Sequence, residues 1–175
     1  GGYGRGGRMK IESDTIEFLS GVRQDHTIGS PITMAVFNTD HRLDDAERTP
    51  PLHRPRPGHA DLAGSIKWLT TDCRETLERA SARETTSRVA AGALARVLLR
   101  RFGIEVFGFV RQVGEATGQF DVTPDNWRQL VERRDASDCY CPDAEADAAM
   151  KAFINDQKTA KDTAGGVVEC HVFGC

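Results

Sequence analysis

The sequence predicts an α+β fold in which antiparallel β-sheets pack around a helical layer. Short strand-like runs occupy the first forty residues and recur at 104–113 and 167–172. The middle of the chain instead carries apolar residues at helical spacing. Because strand-like runs flank a helical middle and do not alternate with single helices, an α+β fold fits better than a doubly wound sheet.

The bulk composition is that of one globular domain, which we expect to span 1–175. Apolar residues make up 39% of the chain and charged residues 28%. A net charge of −3 gives no general attraction to nucleic acid. No apolar run approaches the ~20 residues that cross a bilayer, so no membrane association is expected. The five cysteines, an odd number in a chain of this length, favour a reducing compartment such as the cytoplasm.

The two ends of the chain predict an internal piece of a longer protein. The sequence opens on Gly-Gly-Tyr-Gly without an initiator Met. It stops at Cys175, directly after a strand-like run and without a polar tail.

The N-terminal part of the chain is predicted to form short strands followed by a long loop. Residues 9–13 and 15–20 alternate apolar with polar side chains and predict a β-hairpin. Residues 32–37 form a third short apolar run, which predicts another strand. Residues 38–58 are rich in Pro, Arg and Asp without any period, and long loops of this kind in compact domains are often functional.

Three helices follow, at 61–69, at 72–80 and from 81 onward. The third has the strongest signal, because Ser81 and Glu84 form a capping box and Gly103 provides a stop. Its apolar face is predicted to consist of Val89, Ala93, Leu94, Val97 and Leu98.

The last part of the chain predicts a strand at 104–113, a helix at 143–162 and a final strand at 167–172. Gly165 and Gly166 separate the helix from the last strand. The candidate core positions of the helix are Ala149, Phe153 and Ile154.

The glycine-rich start is the first candidate binding element. Glycines let the backbone approach a ligand closely, and Arg5 and Arg8 add guanidinium groups that bind carboxylates or phosphates through two hydrogen bonds. The alternative is a flexible Arg-Gly tail that binds RNA weakly. The strand predicted directly after it favours an anchored loop.

His59 is the candidate proton donor. Pro55 and Pro57 fix two φ angles, so the turn that carries His59 is stiff before any ligand binds. Imidazole titrates near neutral pH, and a positioned acid typically contributes ~10²–10⁴-fold in rate. The alternative is a histidine that caps the helix beginning near Asp61.

Arg79, Ser81 and Arg83 are the candidate anion-binding group. The capping box places Ser81 at a helix N-terminus, where an anion is favourable. Arg83 opposes the helix dipole unless an anion compensates it, and such local conflicts are expected at functional sites. The alternative is that Arg83 pairs with Glu84 or Glu78.

The cysteines allow a zinc site in principle, from Cys139-x-Cys141 with Cys170-His171. The single-residue spacing of the first pair is shorter than the usual two to four, and the second pair is adjacent. We therefore expect no metal.

These motifs resemble the chorismate synthase family, in order and over essentially the whole chain. The matching segments are Gly-Gly-Tyr-Gly-Arg-Gly-Gly-Arg at 1–8, Ser-Gly-Val-Arg at 20–23, Thr-Ile-Gly-Ser-Pro-Ile at 27–32, Arg-Pro-Gly-His-Ala-Asp-Leu at 56–62, Glu-Arg-Ala-Ser-Ala-Arg-Glu-Thr at 78–85, Arg-Val-Ala-Ala-Gly-Ala at 88–93, Cys-Pro-Asp at 141–143 and Gly-Gly-Val-Val-Glu at 165–169.

The resemblance implies a lyase of aromatic amino acid biosynthesis. The family converts 5-enolpyruvylshikimate 3-phosphate to chorismate and phosphate by an anti-1,4 elimination, the last step of the shikimate pathway. It needs reduced FMN although no net redox change occurs, and NADPH is a possible source of the electrons. The family is usually a homotetramer in which helices lie between antiparallel sheets.

The resemblance also implies roles for individual residues. His59 matches the catalytic histidine beside the flavin, which protonates the reduced ring. Arg5, Arg8, Arg56 and Arg83 match arginines that bind the substrate, and Arg5 also matches a position assigned to NADP. Arg79, Ala80 and Ser81 match the segment that contacts FMN.

The resemblance implies that parts of the enzyme lie outside this sequence. The family's first histidine motif precedes Gly1, and a catalytic aspartate with most flavin contacts follows Cys175, so the chain alone is expected to be inactive. Two rival functions are a non-catalytic anion or RNA-binding module that uses the Arg-Gly start, and a different FMN protein such as a reductase.

Overall fold

The computed structural model describes Tyr3 and residues 15–38, 45–80 and 82–175. These residues form two compact units. The N-terminal unit comprises the described residues from 15 to 95, and the C-terminal unit comprises Tyr3 and 96–175.

The N-terminal unit begins with short antiparallel strands. They are β1 (Ile16–Ser20), β2 (Val22–Arg23), β3 (His26–Thr27) and β4 (Thr33–Val36). Strand β1 pairs with β4, and β2 pairs with β3. The strands predicted at 15–20 and 32–37 are confirmed, whereas the predicted partner strand at 9–13 lies outside the described residues. Gly21 has a φ of +83° where a Cβ would overlap the backbone of residues 31–32, so only glycine fits this turn.

Helices α1 (Asp61–Trp68), α2 (Arg74–Arg79) and α3 (Ala82–Arg101) confirm the three helical predictions. A Cβ at Gly64 of α1 would overlap the side chain of Thr76 on α2, so the absence of a side chain at 64 allows the two helices to pack closely. Ser81, the predicted cap of α3, lies outside the described residues. The predicted apolar face of α3 is largely exposed, including Val89, Val97 and Leu98.

The C-terminal unit is built on a three-stranded antiparallel sheet. Strands β5 (Glu105–Val113), β6 (Ala116–Thr117) and β7 (Gly166–Phe173) lie in the order β6-β5-β7. Phe107 lies opposite His171 and Phe109 opposite Glu169 in the β5–β7 ladder. The strands predicted at 104–113 and 167–172 are therefore confirmed.

Two helices complete the C-terminal unit, α4 (Trp127–Ala136) and α5 (Ala144–Ala160). Helix α4 was not predicted. It packs Trp127 and Leu130 against Phe107 and Phe109 of β5 in one hydrophobic cluster. A second cluster consists of Cys139, Cys141, Ala146 and Met150, with Val110 and Ile154 packed against it.

Helix α5 confirms the prediction at 143–162, and the Asp143 side chain caps it by accepting hydrogen bonds from the amides of Glu145 and Ala146. The prediction that Ala149 belongs to the core is wrong, because its side chain is exposed. The buried stripe instead runs through Ala146 and Met150, four residues apart on one face.

The described residues therefore combine antiparallel sheets with helices, and the α+β prediction is confirmed. Among them, no helix has the length and apolar character needed to cross a membrane.

Candidate active site

His59 lies on an exposed turn just before α1. Its Nδ1 is 2.9 Å from the carbonyl oxygen of Pro57. A carbonyl oxygen only accepts hydrogen bonds, so Nδ1 carries the hydrogen and Nε2 is left to exchange a proton. Gly58 has a φ of +68°, a conformation that favours glycine, and this shapes the turn. The capping alternative is wrong, because Ala60 caps α1 without any side-chain hydrogen bond.

Asp61, at the start of α1, is fully buried and fixes the turn from inside. Its carboxylate accepts hydrogen bonds from Arg56 through the backbone amide at 3.0 Å, Nε at 2.8 Å and Nη2 at 2.9 Å. The hydrogen bonds from the Arg56 side chain hold the pKa of Asp61 at about 2, and the nearby His59 also lowers it. The same pairing raises the pKa of Arg56. Two nitrogens of the Arg56 guanidinium are thus committed to Asp61.

A polar clamp ties the segment before this turn to the linker between α1 and α2. The Leu52 amide donates to Asp72 Oδ1 at 2.8 Å, and the Cys73 amide donates to the Leu52 carbonyl at 2.8 Å. His53 Nδ1 lies 2.9 Å from the Thr71 carbonyl oxygen. The backbone hydrogen bond from Leu52 is the main reason that the pKa of Asp72 is lowered. Residues 50–53 and 71–74 therefore close a loop that contains His59 and α1.

The arginines around the start of α3 differ in their partners. Arg83 Nη1 contacts Glu78 Oε2, so the sequence alternative that paired Arg83 with Glu78 is observed. Arg79 is exposed and has no ion-pair partner among the described residues. Ala80 is half-buried and leaves α2 in an extended conformation. Ser81 lies outside the described residues.

The segment 50–83, here called the site segment, is locally positive. It carries six basic side chains against four acidic ones, a local charge of +2 in a chain of net charge −3. The structure connects its parts through α1 and α2, where Ser65 Oγ lies 3.2 Å from Cys73 Sγ. No direct contact joins His59 to Arg79 or Arg83 among the described residues.

Arg5 and Arg8 lie outside the described residues, but Tyr3 does not. Its hydroxyl accepts a hydrogen bond of 3.0 Å from Asn155 Nδ2 on α5. The Lys151 ammonium lies 5.9 Å from the centre of the Tyr3 ring. Tyr3 is therefore held by α5.

The Cys139–Cys141 pair, which was weighed and rejected as part of a zinc site, is buried in the second hydrophobic cluster. Burial raises the pKa of the Cys139 thiol to about 11 and raises that of Cys141. Both cysteines are free thiols. Within the described ranges, no group of three or more His, Cys, Asp or Glu side chains is arranged to hold a metal ion.

Three features of the acidic residues in the site segment were not predicted. Asp61 is buried against Arg56, Asp72 accepts from the Leu52 amide, and Glu78 faces Arg74. The sequence signal available was modest. Asp61 ends the Arg-Pro-Gly-His-Ala-Asp motif, and Glu78 follows Arg74 at the spacing that brings helical side chains together.

The family model of chorismate synthase matches residues 1–175. The chain belongs to the chorismate synthase family. It is 47% identical over 188 residues to the chorismate synthase of Geobacter metallireducens, covering 99% of this chain and 46% of that protein. The chorismate synthase of Desulforamulus reducens is 44% identical over 187 residues, with coverages of 99% and 47%. The chain thus spans about half the length of the curated relatives it matches.

A solved chorismate synthase crystal structure shares the fold. It superposes with a TM-score of 0.72 at 34% identity, and the match covers 94% of this chain and 46% of that chain. Family membership therefore rests on the family model and the curated relatives, and the solved structure shares the fold.

Proposed function

We propose that this chain is part of a chorismate synthase, a carbon–oxygen lyase that converts 5-enolpyruvylshikimate 3-phosphate to chorismate and phosphate. The observation that carries the proposal is the family match across residues 1–175, which includes the turn that bears His59. The whole chain is proposed to belong to one domain of that enzyme, and the chain alone to be inactive.

His59 is proposed as the catalytic proton donor. Its Nδ1 hydrogen is committed to the Pro57 carbonyl, so the ring is oriented and Nε2 holds the proton that is exchanged. The stiff, exposed turn keeps Nε2 accessible to a bound molecule. Asp61 and Arg56 support this turn from the buried side.

The arginines are proposed to bind the anionic substrate, which carries two carboxylates and one phosphate. Arg83 contacts Glu78 through Nη1, so its Nε and Nη2 remain to donate to the substrate. Arg56 contacts Asp61 through Nε and Nη2, so its Nη1 remains. Each charge-assisted hydrogen bond contributes roughly 1.5–3 kcal/mol. Arg5 and Arg8 are proposed to complete this set.

Reduced FMN is the proposed cofactor. The residues present fit an anionic flavin, because the site segment is locally positive and Arg79 has no ion-pair partner among the described residues. Arg79, Ala80 and Ser81 would hold it. When bound, the reduced flavin supplies electron density for cleavage of the carbon–oxygen bond to phosphate. NADPH as electron source, with Arg5 among its contacts, a homotetramer and a cytoplasmic location are further parts of this proposal.

The test is chorismate formation by the full-length protein that contains this chain. The assay uses 5-enolpyruvylshikimate 3-phosphate under anaerobic conditions with reduced FMN. We expect chorismate and phosphate in equal amounts, and no product when the flavin is supplied oxidised under air. A folded, flavin-loaded protein that yields no chorismate would contradict the proposal. NADPH oxidation without any need for this substrate would support the reductase alternative instead.

A further inference from the structure

Arg74 of α2 contacts both the loop that leads to His59 and the far end of its own helix. Arg74 Nη2 donates a hydrogen bond of 2.8 Å to the Pro50 carbonyl, at the start of the segment that leads to His59. Arg74 Nη1 lies 3.9 Å from Glu78 Oε1, one helical turn further on. The Arg74 guanidinium therefore lies between the loop and the opposite end of α2.

Glu78 continues this connection to the start of α3. Its second oxygen, Oε2, contacts Arg83 Nη1. The exposed fractions of the side chains are 15% for Glu78, 22% for Arg74 and 32% for Arg83. Electrostatic interactions among partly buried groups are screened less by solvent than those of exposed surface pairs. The charged groups of Arg74, Glu78 and Arg83 thus form a row of successive contacts that begins at the Pro50 carbonyl.

We propose that Arg74 and Glu78 are positioning residues for the active site, with Glu78 orienting Arg83 toward the anionic substrate. The inference rests on the proposed function. Glu78 Oε2 forms an ion pair with Nη1 of Arg83, and this leaves Nε and Nη2 to donate to the substrate. Arg74 faces Glu78 at ion-pair distance on the other side, and its hydrogen bond to the Pro50 carbonyl fixes the loop that leads to His59.

The electrostatics of α3 give a reason for this arrangement. Arg83 lies in the first turn of α3, where a cation opposes the helix dipole. The Glu78 carboxylate compensates Arg83 before any substrate binds. An oriented guanidinium loses less side-chain entropy when it binds an anion, because its geometry is already restricted. Removing the carboxylate charge is therefore expected to weaken substrate binding more than the reaction itself.

The first experiment is a double-mutant cycle in the full-length protein with reduced FMN. Glu78→Gln keeps the shape of the side chain but removes its charge. We expect it to raise KM for the substrate about tenfold with little change in kcat, as for a lost positioning contact. In an Arg83→Met background the same change should have no further effect, because its target is gone. A full additional loss in that background would overturn the proposal.

A lower KM for Glu78→Gln would also overturn it, since that result would make Glu78 a competitor of the substrate for Arg83. Arg88→Met is the matched control. Arg88 pairs with Glu84 at the i,i+4 spacing of the Arg74–Glu78 pair, but the Arg88 and Glu84 side chains are 78% and 51% exposed. The KM and kcat of the Arg88→Met variant should equal those of the wild type.

A second experiment does not depend on catalysis. The Nε–Hε resonance of Arg83 is recorded by NMR in the full-length protein and assigned by its loss in Arg83→Lys. Glu78→Gln should change the chemical shift of the Arg83 Nε–Hε resonance and average it over several side-chain orientations. The Arg88 resonance should stay unchanged. An unchanged Arg83 signal would overturn the proposal. If the wild-type protein forms no chorismate, the proposed function fails, and this NMR measurement still decides whether Glu78 orients Arg83.

Discussion

The C-terminal unit and the site segment are held together in different ways. In the C-terminal unit, Phe107, Phe109, Met150 and Cys141 are almost completely buried in two hydrophobic clusters. Within the described residues of the site segment, the fully buried side chains are Asp61 and Cys73. Packing therefore stabilises the sheet, whereas hydrogen bonds and ion pairs hold the segment that carries His59.

The difference fits the proposed role of the site segment. Hydrophobic packing fixes an element only by surrounding it, and a surrounded side chain is unavailable to a ligand. Buried carboxylates such as Asp61 fix a turn from one side and leave the other side accessible. The site segment thus obtains a defined geometry while His59 stays exposed.

The largest effect on stability is expected in the C-terminal unit. Phe107→Ala removes a ring that is 0% exposed and leaves a cavity between β5 and α4. We expect the free energy of unfolding to fall by about 3–5 kcal/mol, measured by urea denaturation followed by circular dichroism. A loss below about 1 kcal/mol would show that packing does not dominate this unit.

A smaller loss is expected when the turn of the site segment loses its buried pair. Arg56→Met leaves the Asp61 carboxylate buried without its main partner. Since Arg56 itself is partly exposed, water compensates some of the loss, and we expect about 2–3 kcal/mol by the same denaturation experiment. An unchanged stability would mean that the ion pair does not hold the turn.

The pH dependence of stability tests the same pair more finely. The folded chain lowers the pKa of Asp61 from an ordinary value of 3.8 to about 2. The stabilisation is therefore present above pH 3.8 and is lost as the pH falls through about 2. The stability difference between wild type and Asp61→Asn should shrink steadily over this range. A difference that stays constant down to pH 2 would contradict the assigned pKa.

The smallest effect is expected at an exposed ion pair. Arg100 Nε lies 3.3 Å from Glu105 Oε2, and the Arg100 side chain is 54% exposed. Arg100→Met should change the free energy of unfolding by less than about 0.5 kcal/mol. A loss as large as that of Arg56→Met would show that burial is not what distinguishes the two ion pairs.

Local sequence signals predicted much of the fold because the responsible residues are close in sequence. Asp143 caps α5 through amides two and three residues away. Gly103 follows α3 as the predicted stop, with a φ of +74°. Helix α4 was missed because its apolar residues are few, and Trp127 and Leu130 are buried by strand β5, which lies earlier in the chain.

The candidate site was predicted in composition, and the Arg83–Glu78 pair was foreseen as an alternative, but its other contacts were not predicted. Pro55 and Pro57 indicated a stiff turn around His59, and the turn is present. The clamp between Leu52 and Asp72 joins residues 20 positions apart, which no periodic pattern reveals.

The same limit applies in the C-terminal unit. The ion pair of Arg111 and Glu169 joins residues 58 positions apart and depends on the β5–β7 register.

The most direct test of the account compares two histidines in the full-length protein. His26 Nδ1 lies 2.7 Å from the carbonyl oxygen two residues earlier, the same local arrangement as at His59, and both side chains are exposed. We expect His59→Ala to lower kcat for chorismate formation by about 10²-fold or more without changing the melting temperature. His26→Ala should leave both unchanged. Equal turnover of His59→Ala and His26→Ala would contradict the assignment of His59 as the catalytic proton donor.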